Sequence, residues 1–221
     1  MSRTDLIRRW PRILLGLLVF ALGVHLTIHA NIGLAPWDCL GMGVALHTPL
    51  NYGLAMTLMS VLILGLDLLM GEKIGCGTVI DALVTGNFVQ LFNDLDPLPE
   101  NHSLLFGVLF ILLGLALMAL GQCLYMAAGQ GCGPRDALLV GLGRRLPGLP
   151  IGLVEILLWA AVLLSGRLLG GPVGPGTLIA TFGAGLMMQL VCALLRFEPR
   201  SVCHLGLRES LELLAGAQRN N

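Results

Sequence analysis

Apolar residues run through this chain in six long blocks and two short ones. The long blocks cover about 13–30, 52–70, 74–92, 104–128, 151–169 and 175–195, and the short ones cover 36–48 and 134–146. A helix rises about 1.5 Å per residue, so about 20 residues cross roughly 30 Å of hydrocarbon. The six long blocks have that length, 74–92 only if Asp81 is accommodated inside it. Each short block has about 13 residues and carries an aspartate, Asp38 or Asp136. They are too short and too polar for comfortable crossings, which predicts re-entrant or half-depth helices.

The blocks are also written twice. ILLGLLVFALG (13–23) and ILLGLALMALG (111–121) share eight of eleven positions at an offset of 98. At that offset GLAPWD (33–38) meets GCGPRD (131–136), matching Gly33, Pro36 and Asp38 to Gly131, Pro134 and Asp136. One inserted residue then makes the offset 99. Gly53, Gly75, Gly77, Thr78, Gly86 and Gln90 meet Gly152, Gly174, Gly176, Thr177, Gly185 and Gln189. Leucines align by chance in any greasy chain, but matched Gly, Pro, Asp, Thr and Gln in one register do not.

Three crossings per copy is an odd number, so the two copies face opposite ways. The expected fold is an all-α polytopic membrane bundle of two inverted repeats, each with three transmembrane helices and one short re-entrant helix. The expected division is a basic cytoplasmic N-terminus (1–12), repeat 1 (13–92), an acidic linker (93–103), repeat 2 (104–195) and a cytoplasmic tail (196–221). Four crossings per copy would instead make the repeats parallel. Six spans with the N-terminus inside put Lys73, Arg144, Arg145 and the C-terminal arginines inside, the linker outside, and leave Arg167 as an outside exception. The tail interleaves Leu205, Leu207, Leu211, Leu213 and Leu214 with Arg208, Glu209 and Glu212, a pattern that suits an amphipathic surface helix or a partly ordered end.

Composition agrees with the membrane reading: 56% of residues are hydrophobic, 12% are charged and mean hydropathy is +0.85. No basic stripe suggests a nucleic-acid partner. The apolar stretch from Ile13 follows arginines as a secretion signal would, but it is copied downstream and so reads as a retained helix. The six cysteines show no C-x-x-C spacing and read as small core hydrophobes, with Cys132 a possible solute contact. No cofactor or metal site is indicated. The chain has no H-E-x-x-H, no G-x-S-x-G and no P-loop, which argues against an embedded enzyme and against built-in ATP use.

The duplicated short segments are the candidate site. A proline in the first helical turn loses no hydrogen bond, so Pro36 and Pro134 mark helix starts. Such starts inside a bilayer carry unpaired N–H groups and about half a positive charge, and they persist only within protein or beside water. Asp38 and Asp136 fall in the first turn, where a carboxylate is favoured. They either cap their own helices or meet as one polar site. Arg135 sits where the helix dipole repels a cation, so an anionic group must offset it, and Asp38, Asp136, Glu155 or a bound anion would serve. Trp37 is its counterpart in the first copy. It would be an aromatic wall facing the arginine, or an anchor at the interface.

Pro36, Trp37, Asp38, Pro134, Arg135, Asp136 and the matched Gln90 and Gln189 are therefore the candidate solute contacts. The glutamines would serve equally as glue between helices. An ionisable group within a span is a functional candidate, which makes Asp81, His25 and Glu155 the candidate coupling groups. His29 follows His25 by one turn on the same face. Asp67, like Glu155, lies near a span end within reach of an interface.

At the GLAPWD, GCGPRD and GTVID strings the sequence resembles the YczE/YyaS/YitT family of bacterial integral membrane proteins, and the likeness covers nearly the full chain. It is closer to the YczE branch, because the YitT branch carries an added soluble C-terminal domain. The resemblance implies a bacterial inner-membrane protein with a transport function and supplies no catalytic residues. The expected function is secondary transport of a small anionic or zwitterionic organic solute by alternating access. Its partners would be membrane lipid and that solute, and homo-oligomers are possible. The alternative is a non-transporting membrane partner or regulatory protein.

Overall fold

The computed structural model describes residues 3–96, 99–198 and 206. Within them the chain forms eight helices and no strand: α1 (Arg3–His29), α2 (Pro36–His47), α3 (Tyr52–Leu69), α4 (Cys76–Asp94), α5 (Leu104–Met126), α6 (Pro134–Arg145), α7 (Ile151–Leu168) and α8 (Pro175–Leu195). The tail expected to be amphipathic lies outside the described residues except for 196–198 and 206.

Five stretches are long and apolar enough to cross a bilayer: Arg9–His29, Tyr52–Leu69, Leu104–Met126, Ile151–Leu168 and Pro175–Leu195. The sixth expected span, α4, has 19 residues but is not among the five. Asp81, Thr85, Asn87, Gln90, Asn93 and Asp94 make it polar, and three of these side chains, Asn87, Gln90 and Asn93, bond to α3 or α1. The short elements α2 and α6 have 12 residues each. At about 1.5 Å per residue, 12 residues span about 18 Å, well short of the hydrocarbon thickness.

Both short helices start the same way. Gly33 and Gly131 each have φ of 114°, a conformation open to glycine and strained for side chains. Pro36 and Pro134 follow as the first helical residues. The strings GCGT and GPGT form a second matched device at the starts of α4 and α8. Thr78 Oγ1 accepts the Gly75 N–H at 3.4 Å, and Thr177 Oγ1 accepts the Gly174 N–H at 3.2 Å. Gly77 N–H donates to the Gln130 carbonyl and Gly176 N–H to the Ile32 carbonyl, both at 2.8 Å. Each long helix is thus anchored to the loop that leads into the other half's short helix.

The centre of the bundle is the crossing of α1 and α5, which is closer than side chains would permit. A carbon added at Gly16 would lie 2.8 Å from the Gly121 carbonyl oxygen, and one added at Gly23 would lie 2.6 Å from that of Gly114. Because the higher-numbered glycine of α1 meets the lower-numbered one of α5, the helices are antiparallel. Gly16 aligns in sequence with Gly114, and Gly23 with Gly121. Small residues let helix backbones approach where lipid supplies no hydrophobic drive. Around this pair, α4 packs on α1, α8 on α5, α7 on α2 and α3 on α6. Leu62, Leu66, Leu164, Phe182, Leu186 and many other large apolar side chains remain exposed on the outside. So much exposed apolar area would be a liability in water and is what a lipid-facing surface requires.

Candidate functional site

The starts of α2 and α6 meet beside one cavity of about 210 Å³. Its wall takes residues from α1 (Phe20, Val24), α2 (Trp37, Asp38), α3 (Tyr52, Met56, Ser60), α4 (Asp81, Thr85), α5 (Met118, Gln122, Tyr125), α6 (Arg135, Asp136) and α7 (Glu155, Trp159). Residues from both halves of the chain therefore face one space.

The Arg135 guanidinium carbon lies 5.2 Å from the centroid of the Trp37 ring. That is within cation–π range, which is about 6 Å. Asp38, Asp81, Asp136 and Glu155 form no ion pair with Arg135. The aromatic face is thus its close partner.

Asp38 is buried and accepts a hydrogen bond of 3.0 Å from the Tyr52 hydroxyl. Asp136 is 3.4 Å from the Gln122 amide nitrogen. Asp81 accepts a 2.5 Å hydrogen bond from Thr85, one turn along α4. Gly133 allows these groups to converge. A carbon added there would lie 3.0 Å from Asp81 Oδ2, 3.3 Å from the Tyr125 hydroxyl and 3.6 Å from Asp136 Oδ2. Its counterpart in the first half is Ala35, and the counterparts of Tyr125 and Asp81 are the smaller Thr27 and Ala180. Acids and aromatics are concentrated on the Gly133 side, and glycine leaves room for them.

Eight residues singled out from sequence are gathered here or at its edge. Trp37, Asp38, Pro134, Arg135, Asp136, Asp81 and Glu155 line the cavity, while Pro36 sets the start of α2. Three others lie elsewhere. Gln90 accepts from the Gly53 N–H at 3.1 Å and donates to Asp94 at 2.7 Å, which ties α3 to α4 outside the cavity. Gln189 is exposed on α8. His25 Nδ1 is 2.7 Å from Asn93 Oδ1, and its Nε2 is 3.7 Å from Asp96. His29 Nδ1 is 2.6 Å from the same Asp96 oxygen. The two histidines thus hold the end of α4 and the following linker to α1 instead of facing the cavity. Cys132 does not line the cavity. Asp67 is wholly buried, and neither carboxylate oxygen has a hydrogen-bond partner.

Tyr52, Gln122, Tyr125, Thr85 and Trp159 belong to the site but were not singled out from sequence. The signal that could have found them is helical spacing from the acids: Thr85 lies four residues after Asp81 and Trp159 four after Glu155. The cavity holds four carboxylates and one guanidinium. Such a set can bind a positive group through the acids and a carboxylate or apolar ring beside Arg135 and Trp37. Among the described residues no group of three or more His, Cys, Asp or Glu is arranged to hold a metal ion. Cys123 and Cys192 sulfurs lie 3.4 Å apart, in contact but well beyond a disulfide bond of about 2.05 Å.

Comparisons with known proteins agree with the membrane reading. The chain is 29% identical over 191 residues to the "Uncharacterized membrane protein YczE" of Bacillus subtilis (strain 168), covering 85% of this chain and 86% of that one. It is 29% identical over 180 residues to YyaS of the same organism, covering 80% and 88%. A Haemophilus influenzae protein is 30% identical over 177 residues, covering 80% of each chain. No solved structure matches. The family model described as "Family of unknown function (DUF6198)" matches residues 7–193, so this membrane protein, resembling YczE and YyaS along most of its length, belongs to that family.

Proposed function

We propose that the protein is a secondary transporter that moves a small organic solute across the bacterial inner membrane by alternating access. The solute carries a positive group and an apolar part, and a zwitterion fits best. The observation that carries this reading is the contact between Arg135 and Trp37 at the meeting of two broken-helix starts, inside a cavity rich in acids. Arg135 would receive the solute's carboxylate. Asp136 and Asp81, near Gly133, would receive its ammonium group. Trp37, Tyr125 and Trp159 would cover its apolar part. A plain anion is a poor fit, because four carboxylates surround one guanidinium.

The two halves are read as oppositely oriented copies, with both termini cytoplasmic. What supports this is the antiparallel crossing of sequence-matched α1 and α5, together with the matched glycine anchors at Ile32 and Gln130. Asp81 and Glu155 are the coupling groups of this mechanism, since both line the cavity. His25 would take a lesser part at the linker.

The test uses proteoliposomes loaded with a pH-reporting dye and challenged with a panel of amino acids and organic amines. Solute-dependent proton movement is expected, and it should be lost in the Asp38→Asn, Arg135→Gln, Asp136→Asn triple variant. Undiminished flux in that variant would remove the proposed site.

A further inference from the structure

The two halves match in sequence but not in closure. In the first half α3 and α4 are locked together. A carbon added at Gly53 would lie 2.6 Å from the Gly86 carbonyl oxygen and 2.6 Å from Gln90 Cβ. One added at Gly86 would lie 2.5 Å from the Gly53 oxygen and 2.8 Å from Thr57 Oγ1. The Gly53 N–H donates to Gln90 at 3.1 Å, and Asn87 Nδ2 is 3.4 Å from the Thr57 hydroxyl.

The same three residue types recur in register in the second half as Gly152, Gly185 and Gln189. There they meet nothing. A carbon added at Gly152 or Gly185 has no atom within 4 Å, and Gln189 is exposed. The difference reaches the cavity. Asp81, Thr85 and Val89 of α4 line it, whereas their α8 counterparts Ala180, Ala184 and Met188 do not. The cavity is therefore walled by both helices of a closed pair on one side, while on the other only α7 of the parted pair reaches it, through Glu155, Leu158 and Trp159.

Two glycines and a glutamine have no evident use on a parted face. Glycine costs helix stability, roughly 1 kcal/mol relative to alanine, unless close packing offsets it. An amide side chain within an apolar helix likewise needs a partner. We infer that the protein has a second state in which α7 closes on α8 through Gly152, Gly185 and Gln189 while α3 and α4 part at Gly53, Gly86 and Gln90. This rests on the oppositely oriented repeats proposed above. The exchange would shut the cavity at one end of the bundle and open it at the other. Gln189 then serves as a clasp for the closed pair and not as a solute contact, as Gln90 does now.

The test measures distances between spin labels in lipid nanodiscs, on a background with the native cysteines replaced. One pair is Thr57→Cys with Asn87→Cys, across the closed contact. The other is Ile156→Cys with Leu186→Cys, at the matched positions across the gap. The expected result is a mixture for each pair, with the short component of the second matching that of the first. Gly86→Leu, which wedges α3 from α4, should enlarge the short component of the α7–α8 pair. Gly152→Leu, which enters open space here, should leave the protein folded and abolish that component. A single long distance across α7–α8 in the wild type and in the wedged variant overturns the inference. So does a short distance that appears with only one label per chain, because that reports a dimer. The distances are read separately from the flux assay above, so switching without transport would sink only the proposed function. Transport with α7 and α8 fixed apart would sink only this inference.

Discussion

Arg135 from the second half of the chain lies over the Trp37 ring from the first, 5.2 Å from its centroid. The two residues occupy the same place in the duplicated strings GLAPWD and GCGPRD. A cation in the first turn of a helix is opposed by the dipole, so the aromatic face and the surrounding acids have to offset that.

Removing the ring tests this balance. Trp37→Leu should weaken binding of a zwitterionic ligand and lower thermal stability by about 0.5–2 kcal/mol, the range for a partly desolvated cation–π pair. Trp37→Phe should recover part of both. The readouts are thermal unfolding in detergent and ligand-induced stabilisation. Equal behaviour of Leu and Phe would show that the ring face contributes nothing.

Asp38 depends on one hydroxyl. Tyr52→Phe removes the donor of the 3.0 Å bond and leaves a buried acceptor less satisfied. A cost of about 1–3 kcal/mol is expected, and the double variant with Asp38→Asn should cost less than the sum of the two single changes. Strictly additive melting shifts would mean that the pair does not interact.

The glycines that precede the short helices should be intolerant in both halves. Gly33→Ala and Gly131→Ala place a side chain at φ of 114° and against Gly174 and Thr177 or Thr78 and Gly75. Each should cost at least about 1–3 kcal/mol, from strain at an unfavourable backbone angle. Gly148→Ala, in open space with no unusual φ, is the control and should be neutral. Folded yield and melting temperature report all three.

Asp67 should be dispensable for folding. Its carboxylate is wholly buried and has no hydrogen-bond partner, which is costly in an apolar setting. Asp67→Leu should raise stability by about 1–3 kcal/mol, the usual penalty for an unsatisfied buried group. A lower melting temperature would mean that this acid makes an interaction stronger than its geometry suggests.

Much of the site was legible because duplication marks it. Gly33, Pro36 and Asp38 align with Gly131, Pro134 and Asp136, and that alignment alone drew attention to two helix starts. The pairing of Arg135 with Trp37 followed from the same register. Tyr52, Gln122 and Tyr125 were not legible, because they are single-copy residues on long helices and become neighbours only through packing. The matched glutamines suggested either a shared role at the solute or glue between helices. Gln90 is glue, joining α3 to α4, and Gln189 is exposed. Register shows that two residues are related, but not whether their surroundings are in the same state. The polarity of α4 was visible in the sequence as Asp81 and the amides after it. What those groups face was not visible, since half of them turn toward α1 and α3.

The crossing of α1 and α5 bears on how the chain is assembled during synthesis. Gly16 and Gly23 form their contacts with Gly121 and Gly114, and nearly half of the protein is translated between them. Until α5 is made, the glycine face of α1 therefore has no partner from its own chain, and slower synthesis of the intervening residues lengthens the time that face stays uncovered.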